Sequence, residues 1–208
     1  MFGGNFQTWK LHSAQDYFMF FAYILAGVLV FWLIAKHMNK QRNHEKAVEK
    51  VSGRLKKICG KPGEVLKNAT LNLPDGEMTF DAVLMDKRGI YLVRTYGWGI
   101  KIYGTPDGAM WRREDAKRKE EFENPLLNLK KGAEEIGKIM EENGVHNLKV
   151  MPMVVFADNY QTPELYLGYG SYSTTYQELK NWYKKQSGVK EVQYDYDKVS
   201  SIIKELAK

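Results

Sequence analysis

Apolar residues follow three different periods along this chain. Residues 17–35 read Y-F-M-F-F-A-Y-I-L-A-G-V-L-V-F-W-L-I-A and carry no charge. As a helix this run is roughly 28 Å long, close to the hydrocarbon thickness of a bilayer. Backbone groups in lipid must bond internally, so a helix is the expected form. From 41 to 58 the apolar positions Ala47, Val48, Val51, Leu55 and Ile58 have helical spacing on a narrow stripe, and Gly60-Lys61-Pro62-Gly63 ends it. The period then shortens. Residues 65–73 and the two halves of 79–96 read as strands, with turns at Pro74-Asp75-Gly76 and Asp86-Lys87-Arg88-Gly89. A second hairpin is expected from 100–103 and 110–112 around Thr105-Pro106-Asp107-Gly108.

Residues 112–123 are mostly charged and are expected to form a solvated loop or frayed helix. Asn124-Pro125 starts a helix, with Asn as cap and Pro in the first turn. Leu129, Ala133, Ile136 and Met140 continue its stripe as far as Asn143-Gly144. Residues 150–156 suit a buried strand and 164–169 another. Thr175-x-x-Glu178 is a capping box for a helix to about Gln186, and Val199, Ile202, Ile203 and Leu206 mark a last amphipathic helix. The expected fold is mixed α/β (α+β), a central mixed sheet flanked by helices, behind one N-terminal transmembrane helix. The expected organisation is a tail at 1–16, a transmembrane helix at 17–35, a basic linker at 36–41 and one domain at 42–208.

The hairpin at 79–96 is the most informative stretch. A two-residue turn at Lys87-Arg88 sets Asp86 opposite Gly89, Val83 opposite Leu92 and Asp81 opposite Arg94. Directly opposed residues of an antiparallel pair share a face and are within side-chain reach. An acid and a base are therefore expected to meet there.

Charge and composition narrow the rest. The chain has 208 residues and a formal net charge of +6, which points weakly to an anionic partner. The lone Cys59 excludes an internal disulfide. His12, His37, His44 and His146 are too scattered for a zinc site. Only Lys10 precedes the apolar run, whereas Lys36, Lys40, Arg42, Lys46, Lys50, Arg54, Lys56, Lys57 and Lys61 follow it. The positive-inside rule then predicts a single-pass protein of the cell membrane with its N-terminus outside and its main domain cytoplasmic. Trp9, Tyr17 and Trp32 fall where interfacial aromatics belong. Leu33-x-Ala35 is a poor cleavage site, so a retained anchor is expected. The basic cluster is expected to face anionic headgroups before nucleic acid. Asn68-Ala69-Thr70 matches a glycosylation acceptor, which has no meaning in the cytoplasm.

In order and spacing, several pieces resemble the nuclease-related domain known as NERD, a branch of the PD-(D/E)xK, restriction-endonuclease-like superfamily. V-L-K-N-A-T-L at 65–71 resembles its first strand. F-D-A-V-L-M-D-K-R-G-I-Y-L-V at 80–93 resembles its Asp-bearing strand, Gly turn and next strand. Gly99 to Gly104 with Trp111 resembles its G-x-I-x-G … W stretch. Asn124-Pro125-Leu126-Leu127-Asn128 resembles its N-P-x-x-Q helix start with Asn for Gln, and 150–157 its late core strand.

The resemblance implies a site in which two or more carboxylates hold Mg²⁺ and a lysine two residues after the second steadies the reaction. The family positions fall on Glu45, Asp81, Arg94, Tyr96 and Asn128. Glu45 is preceded by His44 where the family has Gly. Glu64 mimics the first-helix motif but sits too close to the following strand. The E-x-K motif falls on Arg94-Thr95-Tyr96, so a carboxylate has become a cation and a lysine a phenol. A guanidinium has no acceptor for a metal. The expectation is that Arg94 replaces the metal and pairs with Asp81, and with Glu45 if it is in reach. The alternative is an exposed arginine on an edge strand. Tyr96 is expected to pack. No intact catalytic set, metal or cofactor is expected; Asp81 and Glu45 remain as residual metal candidates, and Mg²⁺ enters only for an active nuclease with relocated residues. The expected function is a membrane-anchored, catalytically degenerate nuclease-like domain that binds nucleic acid or a protein partner. A membrane-tethered scaffold without nucleic acid is the further alternative. Tyr160, Tyr166, Tyr169, Tyr172, Trp182 and Tyr183 are expected to pack before they stack bases.

Overall fold

A computed structural model describes residues 14–41, 43–158, 161–185 and 194–207. Trp9, Lys10, His12, Arg42, Tyr160 and Gln186 lie outside the described residues, as do the side chains of His37 and Lys40 and most of the expected tail. The chain divides into two units, residues 1–40 and 41–208.

The first unit holds all but the last residue of helix α1 (Ala14–Gln41), whose apolar side chains from Tyr17 to Ile34 are exposed. Its portion Ala14–Lys36 is long and apolar enough to cross a membrane, a description that a signal sequence near an N-terminus also meets. The helix continues through residues 36–41.

The second unit begins with α2 (His44–Cys59), capped by the Asn43 side chain, which accepts from the Glu45 amide. Ala47, Val48, Val51 and Leu55 form its buried stripe, and Gly60 ends it at a φ of 64°. There follow β1 (Glu64–Leu73), β2 (Gly76–Asp86), β3 (Gly89–Tyr96), β4 (Lys101–Gly104), β5 (Met110–Glu114) and β6 (Lys119–Glu123). Then come α3 (Pro125–Glu142), β7 (Val150–Phe156), β8 (Glu164–Leu167), β9 (Ser173–Thr175), α4 (Leu179–Lys185) and α5 (Tyr196–Leu206).

The strands divide between two mixed sheets, ordered β1-β2-β3-β7-β9 and β6-β5-β4-β8. In the larger sheet β1, β2 and β3 are an antiparallel meander, and β7 and β9 join in parallel. The smaller sheet is inserted between β3 and α3, and β8 joins it from the connection between β7 and β9. This is the mixed α+β architecture expected, with one refinement: the strands do not share a single sheet. The register matches the count from the turn, with Asp86 opposite Gly89 and Val83 opposite Leu92.

The larger sheet is covered on both faces. On one, Ala82, Leu84, Tyr91, Val93, Met153 and Val155 pack against α2 and α4. On the other, Val83, Met85, Leu92 and Val154 pack against α3, α5 and the inner face of the smaller sheet, where Ile102 and Trp111 are buried. Gly104 serves this packing. A Cβ there would lie 2.3 Å from the Trp111 ring, so the strand can lie flat on the indole only without a side chain.

Residues 112–123 differ from expectation. They are neither loop nor helix but the β5–β6 hairpin. Its charges are complementary in register: Arg112 faces Glu121, Arg113 faces Glu120 and Glu114 faces Lys119. Opposite charges across a strand pair stabilise it, and β6 is an edge, where polar side chains protect against further pairing. The Asp115 side chain closes the turn by accepting from the amides of Lys117 and Arg118 at 2.8 and 2.9 Å. Strand β9 was also not anticipated; three residues between turn-forming Gly and Ser carry too little pattern.

The ladder has one interruption. Pairs of β1 and β2 run from Glu64↔Met85 to Lys67↔Ala82, then resume at Ala69↔Phe80. Asn68 and Asp81 fall in the gap, and Asn68 has a left-handed φ of 48°. The kink changes which face β2 presents, because Phe80 packs with Val83 and Met85 rather than with Ala82 and Leu84. Asn is among the few residues that tolerate this conformation. Replacing Asn68 by Val should therefore cost about 1–2 kcal/mol, whereas Asn68→Gly should stay within about 0.5 kcal/mol of wild type. Urea denaturation of the two variants measures the difference, and equal midpoints would remove the kink from the account.

Candidate functional site

Asp81 lies at this kink, and the pairing of β2 with β3 is last seen one residue away at Ala82↔Val93. Beyond that pair the Asp81 carboxylate takes an amide of β3: Oδ2 accepts from the Thr95 N–H at 2.6 Å. Oδ1 accepts from Arg94 Nη1 at 3.3 Å and lies 3.3 Å from His44 Nε2. Arg94 is braced by a second bond, from Nη2 to the Thr79 carbonyl at 3.0 Å. Asp81 is 4 % exposed, while a third of the Arg94 side chain (34 %) remains in solvent.

The structure thus brings Asp81 and Arg94 together. It places His44, not Glu45, beside them; the Glu45 side chain is exposed at the first turn of α2. Glu64 is used elsewhere. At the start of β1 it meets Ser200 Oγ at 3.1 Å and Lys204 Nζ at 2.8 Å, tying α5 to the sheet. Lys204 first, and Ser200 after it, hold the Glu64 carboxyl below its ordinary range.

Arg94 opens onto a cleft of about 750 Å³, whose walls include His44, Thr79, Tyr96, Trp98, Arg113 and Asn128. Glu77 and Glu123 also line it. Tyr96 stacks on Phe156 with ring centroids 5.5 Å apart and tilts against Phe122 at 4.9 Å. Burial pushes its hydroxyl up to about 12. Arg113 lies over the Trp98 ring at 3.9 Å and bonds both Glu120 carboxylate oxygens. The Trp98 loop is held by Asp158, whose Oδ2 accepts from the Gly99 amide at 3.2 Å.

The floor is the first turn of α3. Asn124 caps it by accepting from the Leu126 amide at 3.0 Å. Its Nδ2 donates at 2.8 Å to Gly108 and at 3.1 Å to Pro106, which fixes the β4–β5 loop. Asn128, one turn on, is exposed on the cleft side.

The other end of the hairpin is closed. Tyr183 Oη donates to the Asp86 carboxylate and Tyr194 Oη to the Asp86 carbonyl. Arg88 bonds the Tyr183 carbonyl at 2.9 Å and lies over its ring at 4.1 Å. Among the aromatic residues of the last third, Tyr183 is buried and Trp182 packs edge-on to Tyr91. Tyr166 stacks on Tyr103 at 4.9 Å, and Tyr169 and Tyr172 are exposed.

Asp81 and Arg94 meet on the hairpin as the count from its turn implied; the kink at Asn68 and the cleft beside the Asn124-Pro125 helix start were not anticipated. Residues 40–157 match the family described as the nuclease-related domain, NERD. The chain belongs to the nuclease-related domain family. It is also 30 % identical over 128 residues to an uncharacterized protein of Bacillus anthracis, a match covering 60 % of this chain and 59 % of that one. The chain thus spans less than two thirds of that relative's length. No solved structure matches.

A nuclease-related domain implies a divalent ion, and the residues here can be tested against one. Such an ion needs several oxygens with free lone pairs. Asp81 spends one oxygen on a backbone amide and shares the other with a guanidinium and an imidazole. Arg94, its charged neighbour at 3.3 Å, brings no acceptor for a metal. Among the described residues, no group of three or more His, Cys, Asp or Glu is placed to hold a metal ion. The residues at Asp81 do not fit a divalent ion. Sequence reasoning had not placed His44, Trp98 or Arg113 at the site. His44 was visible as the departure from Gly before Glu45; the other two carry no local signal.

Removing Arg94 by Arg94→Ala leaves Asp81 with the Thr95 amide and His44 only. Because Arg94 is a third exposed, the expected loss is about 1–3 kcal/mol, below the range for a fully buried pair. Asp81→Ala should cost about 1–3 kcal/mol, since it orphans a buried amide. Denaturant melts of the two variants and the double variant give the coupling; additive losses would show that the pair does not interact.

Proposed function

We propose that this chain is a membrane-anchored nuclease-related domain whose cleft binds a nucleic-acid strand without cleaving it. The observation that carries this reading is the Arg94 guanidinium on the Asp81 carboxylate. It puts a fixed cation where the family chemistry calls for a metal between carboxylates, and a guanidinium has no open coordination site at which a water could bind and lose its proton. Tyr96 supports the reading: its ring is committed to Phe156 and Phe122, and its hydroxyl cannot replace a lysine cation.

What remains is a recognition surface. Arg94, Arg113 and His44 give the cleft cationic or proton-donating walls. Trp98 carries Arg113 over its ring at 3.9 Å as a cationic-aromatic rim, and the first turn of α3 contributes the positive end of a helix dipole. A volume of about 750 Å³ accommodates a nucleotide unit. On the membrane side, Ala14–Lys36 supplies an apolar helix of 23 residues, roughly 35 Å long. The basic residues after it favour a cytoplasmic placement of the domain.

The full chain in detergent should bind single-stranded DNA or RNA with an affinity that falls steeply as salt rises. Trp98→Ala should weaken that binding about tenfold by removing the indole on which Arg113 rests. Incubation with Mg²⁺ or Mn²⁺ should leave the strands intact. Metal-dependent cleavage would establish instead an active nuclease with relocated residues. Failure to bind either nucleic acid at low salt would leave a protein-binding scaffold.

A further inference from the structure

The positive charge of the second unit is concentrated on one layer. Helices α2 and α4 lie on the same face of the larger sheet, where Val51 and Leu55 share a cluster with Leu179 and Tyr183. They are cross-linked: Arg54 Nη2 donates to the Gln177 carbonyl at 3.3 Å, and Lys50 and Arg54 both lie over the Tyr176 ring, at 4.4 and 4.5 Å. On the outward side of α2, Lys46, Lys50, Arg54 and Lys57 are spaced by four, four and three residues, which sets them in one stripe. Lys180 and Lys184 are exposed on α4 in the same layer. Glu45, Glu49 and Glu178 are the acids alongside. The other helices show no such excess. On α3, Lys130, Lys131 and Lys138 are offset by Glu134, Glu135, Glu141 and Glu142, and on α5 Lys198 and Lys204 by Asp197 and Glu205.

We infer that this α2–α4 layer is a docking face for anionic lipid headgroups, which lays the domain against the bilayer that α1 crosses. The inference rests on the membrane anchor proposed above and not on the cleft. Three arguments select a lipid surface over a polynucleotide. The apolar span ends at Lys36, α1 runs on to Gln41 and α2 starts at His44, so about 8 Å of helix and at most about 10 Å of link separate the span from α2. The basic stripe is therefore tethered within about 20 Å of the headgroups next to the anchor. The layer is mostly lysine, a flexible point charge that suits a fluid anionic surface, where a bound phosphate is better clamped by arginine forks. The aromatic ring between the cations, Tyr176, is already engaged by both Lys50 and Arg54.

The test uses the full chain in nanodiscs of phosphatidylcholine, with or without roughly 30 % phosphatidylserine. Lysine reductive methylation is followed residue by residue by mass spectrometry. Lys46, Lys50, Lys57, Lys180 and Lys184 should label at least about threefold more slowly in the anionic discs, and the protection should vanish near 0.5 M salt. Lys101, Lys117 and Lys119 of the smaller sheet serve as references and should not change. In the triple variant Lys50→Glu, Lys57→Glu, Lys180→Glu, protection at Lys46 and Lys184 should be lost. Equal labelling in both discs overturns the inference, as does protection that appears only when an oligonucleotide is added to neutral discs. A chain that fails to enter nanodiscs overturns the anchor and this inference with it, while a chain that enters and stays unprotected overturns this inference alone.

Discussion

Asp81 is a carboxylate taken out of water in the middle of a sheet, and its neighbours are arranged around the need to satisfy it. The cost of leaving such a group unpaired is several kcal/mol, comparable to a large part of a domain's stability. Two donors meet that need, a backbone amide left over where β2 and β3 part and Arg94. The imidazole at the start of α2 stands 3.3 Å from the same carboxylate. The same carboxylate therefore ends a strand pairing, fixes the side of the cleft on which Arg94 stands, and sets the α2 N-terminus against the sheet.

The parting of the strands has its own cause. Asn68 adopts a left-handed conformation opposite Asp81, and the sheet changes face there. A regular ladder would point Asp81 into the apolar layer beside Val83. The kink makes room for a polar side chain and opens the cleft. A sequon-like Asn68-Ala69-Thr70 thus has a conformational role in the fold: it is the point at which the strand turns. The aromatic set of Tyr96, Phe122, Phe156 and Trp111 closes the apolar side of the same opening. Tyr96 is part of a packed wall there, against Phe122 and Phe156.

The cleft and the basic layer are different surfaces. The cleft joins Arg94, Trp98 and Arg113 to the start of α3, and it is small and shaped. The α2–α4 layer is broad and lysine-rich. A domain with both could hold a strand while lying on a membrane, because neither surface needs the residues of the other.

Much of this was legible in the chain itself. The apolar run of α1, the stripes of α2, α3 and α5, and the hairpin register all follow from periods and turns that act over a few residues. The opposition of Asp81 and Arg94 came from counting back from Gly89, because a two-residue turn leaves no other register. The β5–β6 hairpin was missed since charged residues carry no burial period; the complementary order of Arg112, Arg113 and Glu114 against Lys119, Glu120 and Glu121 was the signal available. What only the tertiary structure decided is whatever depends on contacts between distant segments. His44 reaches Asp81 because α2 packs across β2, Asp158 positions the Trp98 loop from the end of β7, and Lys180 joins Lys50 in one layer because two helices far apart in sequence cover one face of a sheet. Local pattern determines which face of an element is apolar; only packing determines which elements share that face.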